Sequence, residues 1–439
     1  MSSRYGFRDV LAVAEFRALW SAEVVSVCGD QLARVALSVM VYERTSSAAL
    51  TALTYALTFV SALLGGVVLS GLADRFPRRT VLITSDLIRA VLAGSLALPG
   101  LPLAALWAMV FTLALAGTPF KAAQLALLPE VLEGERYPVG LALRTVSTQL
   151  AQLAGFAAGG TVLLVISAET ALGVNAATFV LSALIVVWGV RSRPATHRRG
   201  TEPASENRTS AARLLSRDPQ LLVLVGLVML AGLTVAPEGV AAPYAAGLGG
   251  STVAVGILLA ADPLGSALGA WIFSHWQSAN ARTAAIVPLA IGSGVALVPC
   301  FTRPGLVMSA LLWALSGALT TTFLIQVQAL LTRSVPDARR GAVIGLASAG
   351  LQTSQGLVVL ATGLVGEQIG VYRAVGVVGI ATAGLATVLG VAWRRARLRG
   401  RSFEDEHDAC HGISTAKITG HGSAFRIPPP PGRHARRTR

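Results

Sequence analysis

Twelve apolar segments, each about the twenty residues that a helix needs to cross a bilayer, follow one another through this 439-residue chain. They lie at roughly 18–41, 48–72, 80–99, 103–126, 140–166, 170–190, 219–244, 252–274, 283–301, 305–331, 342–366 and 371–393. Lipid offers no partner for backbone N–H and C=O groups, so segments of this length must satisfy them internally as helices. Only 13% of the residues are charged and 53% are hydrophobic. A soluble globular chain carries about 25% charged residues, so that class is excluded. The expected fold is all-α and integral to a membrane, with twelve spanning helices.

The arginines orient these helices. One set of connections holds Arg75, Arg78, Arg79, Arg136, Arg144, the cluster from Arg191 to Arg217, Arg282, Arg333, Arg339 and Arg340. The alternate connections hold only Arg44, Arg303 and Arg373. Cytoplasmic loops retain Lys and Arg, which predicts that the first set and both termini lie in the cytoplasm. The net charge of +14 thus belongs to a membrane's inner face, and nucleic acid is not an expected partner. The first twenty residues lack a small-residue cleavage site after a short apolar core and read as a retained end. The scarcity of lysine, limited to Lys121 and Lys417, suits a bacterial cell membrane encoded in a GC-rich genome.

A polar loop at 191–218 separates six spans from six, predicting an N-terminal bundle at 1–190 and a C-terminal bundle at 219–393. Gln149 and Gln152 in span five are echoed by Gln352 and Gln355 in span eleven, as Gly140-Leu141-Ala142 is by Gly345-Leu346-Ala347. These echoes indicate a duplicated six-helix unit, the plan of secondary transporters that bind substrate near the midplane. The basic tail, 394–439, reads as disordered and suited to anionic lipid heads. Its HDACH stretch and His421 match no common metal spacing. The three cysteines, Cys28, Cys300 and Cys410, are too scattered for a disulfide framework or a thiolate cluster. No metal and no cofactor is expected.

Charges inside the spans carry the functional signal, because each costs at least about 2.5–3.5 kcal/mol at the bilayer centre unless it faces a cavity or partner. Glu23, Asp30 and Arg34 of span one fall within about 40° of arc at 100° per residue. Two readings of Asp30 and Arg34 stand open: a self-neutralising pair, or a protonatable switch whose affinity for a proton changes as Arg34 moves. Glu23 reads as a cavity-wall or interfacial charge. Glu238 after Pro237, and Asp262 before Pro263, are further proton-coupling candidates, while Asp86 and Arg89 suggest a structural pair. Lys121, just after Pro119, is long enough to snorkel toward the surface. Gln149, Gln152, Gln352 and Gln355 with Tyr55, Trp107 and Tyr244 are the substrate-cavity candidates. A sparse polar set in an apolar wall suits amphipathic organic molecules.

The loop SGLADRFPRRT, 70–80, resembles the signature loop of the major facilitator superfamily, GxLaDrxGRr. Its Asp74, Arg75, Arg78 and Arg79 fall on the motif, whereas Ser70 and Pro77 replace its two glycines. The Pro form resembles drug-efflux members related to macrolide and siderophore exporters. PFKAAQLALLPEVL at 119–132, NAATFVLSAL at 175–184 and VPDARRGAVIGL at 335–346 resemble the same family. AQLAGFAAGG at 151–160 is similar to the antiporter pattern gxxxGPxxGG. It keeps Gly155, Gly159 and Gly160 as helix-packing residues but has Phe156 for Pro and Ala151 for Gly.

The resemblance implies two pseudo-symmetric six-helix bundles and a conformational latch formed by the loop residues with Arg339 and Arg340. It further implies a monomeric antiporter that exports amphipathic small molecules. No GxxxxGK(S/T) phosphate loop occurs, so an ion gradient, with the proton as coupling ion, is the expected energy source. Uptake by the same fold, a membrane-embedded transferase and a ligand sensor are the rival readings. Short arginine-rich loops argue against the transferase, and a tail without a recognisable module against the sensor.

Overall fold

Residues with the right apolar length become helices, and the residues that stop them are polar caps and glycines. The computed structural model describes residues 6–69, 72–193, 215, 218–274 and 279–418. Of Val67, Ala73, Asp74, Ser274, 279–282, Asp337, Ala338 and 397–418, only the backbone path is described.

Spans one to six are Ala14–Thr45, Ala48–Val68, Arg78–Leu96, Leu103–Val131, Arg136–Val162 and Ala168–Gly189. Span seven starts as Pro219–Ala231; span eight is Thr252–Ser274 and span nine Ala279–Val295. Spans ten to twelve are Leu306–Ser334, Asp337–Ile369 and Val371–Ile418. Span one ends where Ser46 takes a left-handed φ of 51°. Ser47 then caps span two by accepting from the Leu50 N–H at 3.1 Å. Asp218, followed by Pro219 in the first turn, opens span seven in the same way.

Ten described helices are long and apolar enough to cross a membrane. The two expected spans outside that set are three and five, which carry Arg78, Arg79, Asp86 and Arg89, and Arg136 and Arg144 respectively. Both are nonetheless packed among the others, because their charges are turned toward protein partners.

In the first half, span one packs on spans five and six, span three on four and six, and span two on four. In the second half, span eight packs on ten, nine on ten, and seven on ten and eleven. The halves meet through span two against eleven and span five against eight, an exchange that matches a two-fold repeat of six helices. The shared core includes Val35, Ala52 and Phe156 from one half with Tyr244, Leu258 and Val359 from the other. All of these lie between the middle of the spans and their arginine-poor end. At the arginine-rich end, a side chain at Gly341 or Gly345 of span eleven would meet nothing within 4 Å. The two halves are in close contact toward the arginine-poor end.

Span seven breaks near its middle. The helix tightens to a 3-10 turn at Gly232–Val235, resumes at Ala236–Gly239 and resumes again at Ala241–Gly247. Pro237 lacks an N–H, and Gly232 and Gly239 add no side chain that would brace a regular helix. The break presents Glu238 toward the first half.

One expectation is corrected by the fold. Span twelve continues as helix to Ile418, so the segment expected to be disordered from 394 begins as helix. Its Arg, Leu, Ala and Glu residues favour helix, and that local preference outlasts the apolar stretch. Residues 419–439 lie outside the described residues. The chain beyond Gly390 forms a unit of its own.

Candidate functional site

Each charge of the stripe on span one takes a different partner. Glu23 accepts from Arg144 Nε at 2.7 Å and Arg144 Nη2 at 2.5 Å, and from Gln124 Nε2 at 2.9 Å. It is 6% exposed, so the reading of Glu23 as a cavity-wall or interfacial charge is corrected. The fork of Arg144 is matched to a carboxylate, and that pair ties span one to span five and, through Gln124, to span four.

Asp30 is not paired with Arg34. Arg89 of span three donates from Nη2 to Asp30 Oδ2 at 2.7 Å and from Nη1 to Asp86 Oδ1 at 3.3 Å. Ser182 of span six donates to the second Asp86 oxygen at 2.6 Å. The guanidinium lies 3.9 Å from the Phe179 ring centroid, a stacked arrangement that stabilises a buried cation. Asp86 and Arg89 thus do pair, as expected, but Arg89 also reaches across to span one. The Asp30 side chain is 28% exposed, against 7% for Arg89 and 0% for Asp86. Asp30 is the wet end of a buried triad.

Arg34, one turn on, points to span two. Its Nη1 donates to the Tyr55 hydroxyl at 3.3 Å, and its guanidinium carbon lies 5.4 Å from that ring's centroid. The Tyr55 hydroxyl in turn donates to Glu238 Oε2, on the broken part of span seven. This Arg34–Tyr55–Glu238 chain joins the two halves. Asp262 of span eight lies against span ten, where a Cβ on Gly317 would come 2.4 Å from Asp262 Oδ1. No ion pair or hydrogen bond to the Asp262 carboxylate occurs among the described residues.

These groups border a cavity of about 260 Å³. Its charged lining is Asp30, Arg34, Arg89 and Lys121, and its apolar lining includes Leu37, Phe59, Val110 and Leu172. Thr58, Thr118, Asn175 and Gln352 add neutral polar groups. Lys121 is exposed into this space, which replaces the expectation that it snorkels to the surface.

Of the substrate-cavity candidates, only Gln352 lines the cavity. Gln152 donates to Gln149 at 3.2 Å within span five, and Gln355 is partly buried in span eleven. Tyr55 is 5% exposed and acts as the bridge described above. Trp107 donates to Thr54 at 3.0 Å, away from the cavity. Tyr244 is fully buried, with its ring edge-on to Trp313 and its hydroxyl 3.0 Å from Ser309. Trp107 and Tyr244 serve the core. Thr118 and Asn175 were not marked by the sequence, because single polar residues at helical spacing look like any half-buried position.

The loop arginines act within each half. Arg78 reaches the Ala126 carbonyl at 2.8 Å and the Glu130 carboxylate of span four. Arg79 reaches the Val187 carbonyl of span six at 2.5 Å. In the second half, Arg340 reaches the Thr332 carbonyl at the end of span ten at 2.9 Å. Val187 and Thr332 belong to the last turns of their helices, whose carbonyls have no helical partner. The arginines satisfy those oxygens and complement the negative end of the helix dipole. Arg75 and Arg339 are exposed, and the Asp74 side chain lies outside the described residues.

The glycines of span five set close approaches. A Cβ at Gly155 would fall 2.6 Å from the Cys28 carbonyl oxygen, and one at Gly159 2.7 Å from Val35 Cγ2, both on span one. At Gly160 it would fall 2.8 Å from Gly256 Cα in the opposite half. At the same arginine-poor end, Glu367 of span eleven accepts from the Ala49 N–H at 3.2 Å and from the Ser47 hydroxyl, capping span two from across the interface.

The Major Facilitator Superfamily profile matches residues 19–237 and 238–431. Among solved structures, the nucleoside transporter NupG aligns with a TM-score of 0.69 at 14% identity, covering 87% of this chain and 98% of its own. The POT family transporter PepTSo aligns with a TM-score of 0.69 at 12% identity, covering 88% and 98%. A bacterial homolog of the human lysosomal transporter Spinster, inward-facing and occupied, aligns with a TM-score of 0.68 at 13% identity, covering 87% and 96%. At these identities the likeness is one of fold. No curated protein gives a significant sequence match.

Proposed function

The chain belongs to the major facilitator superfamily, a family of multi-pass membrane transporters working by alternating access, and from that membership we propose that it is a proton-coupled exporter of amphipathic small molecules. The single observation that carries this reading is the Arg34–Tyr55–Glu238 chain, which crosses between the halves beside a mostly apolar cavity. Alternating access requires that the halves rock against each other. A carboxylate at their junction then changes its surroundings with the motion, which couples protonation to conformation. Asp30, open to the cavity and held by Arg89, is the second carboxylate on this path, and Asp262 the third. The contacts of Arg78 with span four and the arginine caps on spans six and ten serve the latch by keeping each half rigid as it moves. Under the positive-inside pattern the arginine-rich end faces the cytoplasm of a bacterial cell, with both termini on that side.

The test is accumulation of amphipathic dyes and antibiotics, anionic, neutral and cationic, in efflux-deficient bacteria. Cells carry the wild type, Asp30→Asn or Glu238→Gln at matched membrane levels, with and without a protonophore. Lower accumulation with the wild type, abolished by the protonophore and by Glu238→Gln, is the expected result. Higher accumulation with the wild type would replace export by uptake. Export that survives the protonophore would remove the proton from the mechanism.

A further inference from the structure

The cavity wall is unbalanced in charge. Three cations line it, Arg34, Arg89 and Lys121, against one carboxylate, Asp30. That carboxylate is already held by Arg89, whose other arm holds Asp86. Among the described residues, no carboxylate lies within ion-pair distance of Arg34, and neither an ion pair nor a hydrogen bond reaches the Lys121 ammonium. An ammonium with no fixed counter-charge on the cavity wall is open to pairing, and an anion that enters supplies the missing partner through charge-assisted hydrogen bonds. Lys121 lines the same cavity as Val110 and Leu113, so a ligand's apolar body would have a wall beside the charge. Gln352 is on the opposite half, and its amide N–H groups are donors available to an anion from the other side.

From this geometry, and resting on the transport reading above, we infer that the cavity selects amphipathic molecules bearing a single anionic head, a carboxylate or an acidic phosphate ester. Lys121 is the primary counter-ion, Arg34 the flanking cation and Gln352 the donor from the second half. The pairing has a mechanical consequence. An anion held between Lys121 and Gln352 bridges the halves on the arginine-rich side of the Tyr55–Glu238 link, so binding favours drawing that side together. At about 260 Å³, just under the range of roughly 300–1,000 Å³ usual for ligand pockets, the space fits one ring system with a short acidic arm.

The test uses the purified full-length chain in nonionic detergent and three fluorescent probes of one scaffold. They are N-dansylglycine (anion), its amide (neutral) and N-dansyl-ethylenediamine (cation). Dansyl emission reports entry into an apolar site. The expected order is saturable binding of the carboxylate, tighter than the amide by about ten-fold or more, with the amine weakest. Lys121→Gln is expected to erase the preference for the carboxylate over the amide, and Lys121→Arg to retain most of it. Arg34→Gln is expected to reduce it partially.

Equal affinities for the three probes, no saturable binding of N-dansylglycine, or a preference that persists in Lys121→Gln would each overturn the inference. The charge order in the wild type decides the matter even where a variant fails to fold. Short-chain phosphatidylglycerol, added as competitor, separates two sources of the same chemistry. Displacement of the probe assigns a lipid head and lack of displacement a soluble acid, and both support an anion site. Anion-selective binding in a protein that exports nothing would fault the transport reading alone. Export of cations by a protein that binds the three probes equally would fault the anion inference alone.

Discussion

The Tyr55 hydroxyl donates to the Glu238 carboxylate across the junction of the two halves, while it accepts from Arg34 behind it at 3.3 Å. Tyr55→Phe keeps the ring and removes only this relay. A hydrogen bond to a charged group contributes about 1.5–3 kcal/mol, enough to shift a two-state balance by about ten-fold or more. The expected outcome is a smaller population in close contact at the arginine-poor end, read from distances between spin labels on the arginine-rich loops of the two halves. Unchanged distance distributions would show that the relay does not hold the halves.

Arg89 and Asp30 separate stability from function. Arg89→Ala leaves Asp86, which is fully buried, without its cation. Breaking a buried pair from one side costs about 3–5 kcal/mol, so the variant is expected to lose most of its folded yield. Asp30→Asn leaves the Arg89–Asp86 pair intact and removes the solvent-facing carboxylate, so it is expected to fold normally but transport poorly. Thermal unfolding followed by size-exclusion chromatography checks the first statement, and the accumulation assay the second. Comparable melting of both variants would contradict this division.

Glu23 and Arg144 form a bidentate pair between spans one and five. A double-mutant cycle with Glu23→Gln and Arg144→Gln is expected to show a coupling of about 1–3 kcal/mol in unfolding free energy. The exchanged variant, Arg at 23 with Glu at 144, is expected to recover part of it. Additive single effects would mean that Gln124 alone satisfies Glu23.

Gly160 tests the arginine-poor end. A Cβ there would come 2.8 Å from Gly256 Cα and 3.0 Å from the Thr252 carbonyl, and backbone cannot yield as a side-chain tip can. Gly160→Val is expected to push spans five and eight apart. Labelling by a membrane-impermeant maleimide at Ser251→Cys, added from outside, is expected to speed up in that background. Glu367→Ala, which uncaps the first turn of span two, is expected to act in the same direction with a smaller effect. Slower labelling in both would contradict close contact of the halves at this end.

The spans were legible because their signals are local. Apolar runs, the TRPG and PGLP breaks and the arginine alternation are each read within one segment, and apart from the far end of span twelve the helices begin and end within several residues of the places those signals mark. Spans three and five were also legible, although Asp86, Arg89 and Arg144 make them less apolar than the rest. The tail was misread past 394 because low hydropathy and high charge mark the end of a membrane segment, not the end of a helix.

The partners of the charges were not legible. Angular spacing put Glu23, Asp30 and Arg34 on one face, and they do share it, yet they turn to spans five, three and two respectively. The i, i+4 rule favoured Asp30 with Arg34. The structure prefers Arg89 because that guanidinium is already oriented by Asp86 and Phe179, so little further ordering is needed to reach Asp30. The aromatics misled in the other direction: Tyr244 looks like a binding surface in sequence and is a buried core residue.

Helix number, span length, the six-plus-six plan and the side on which the arginines gather follow from how each stretch of about twenty residues partitions between water and lipid. That partitioning depends on composition and not on neighbours. Which acid meets which base, where the two halves are in close contact and which cations remain unpaired at the cavity depend on how each helix is rotated about its axis and crossed against the others. Those rotations are chosen collectively, by close approaches such as Gly155 on Cys28 and Gly160 on Gly256, because a buried charge is tolerated only where every surrounding helix agrees to supply its partner.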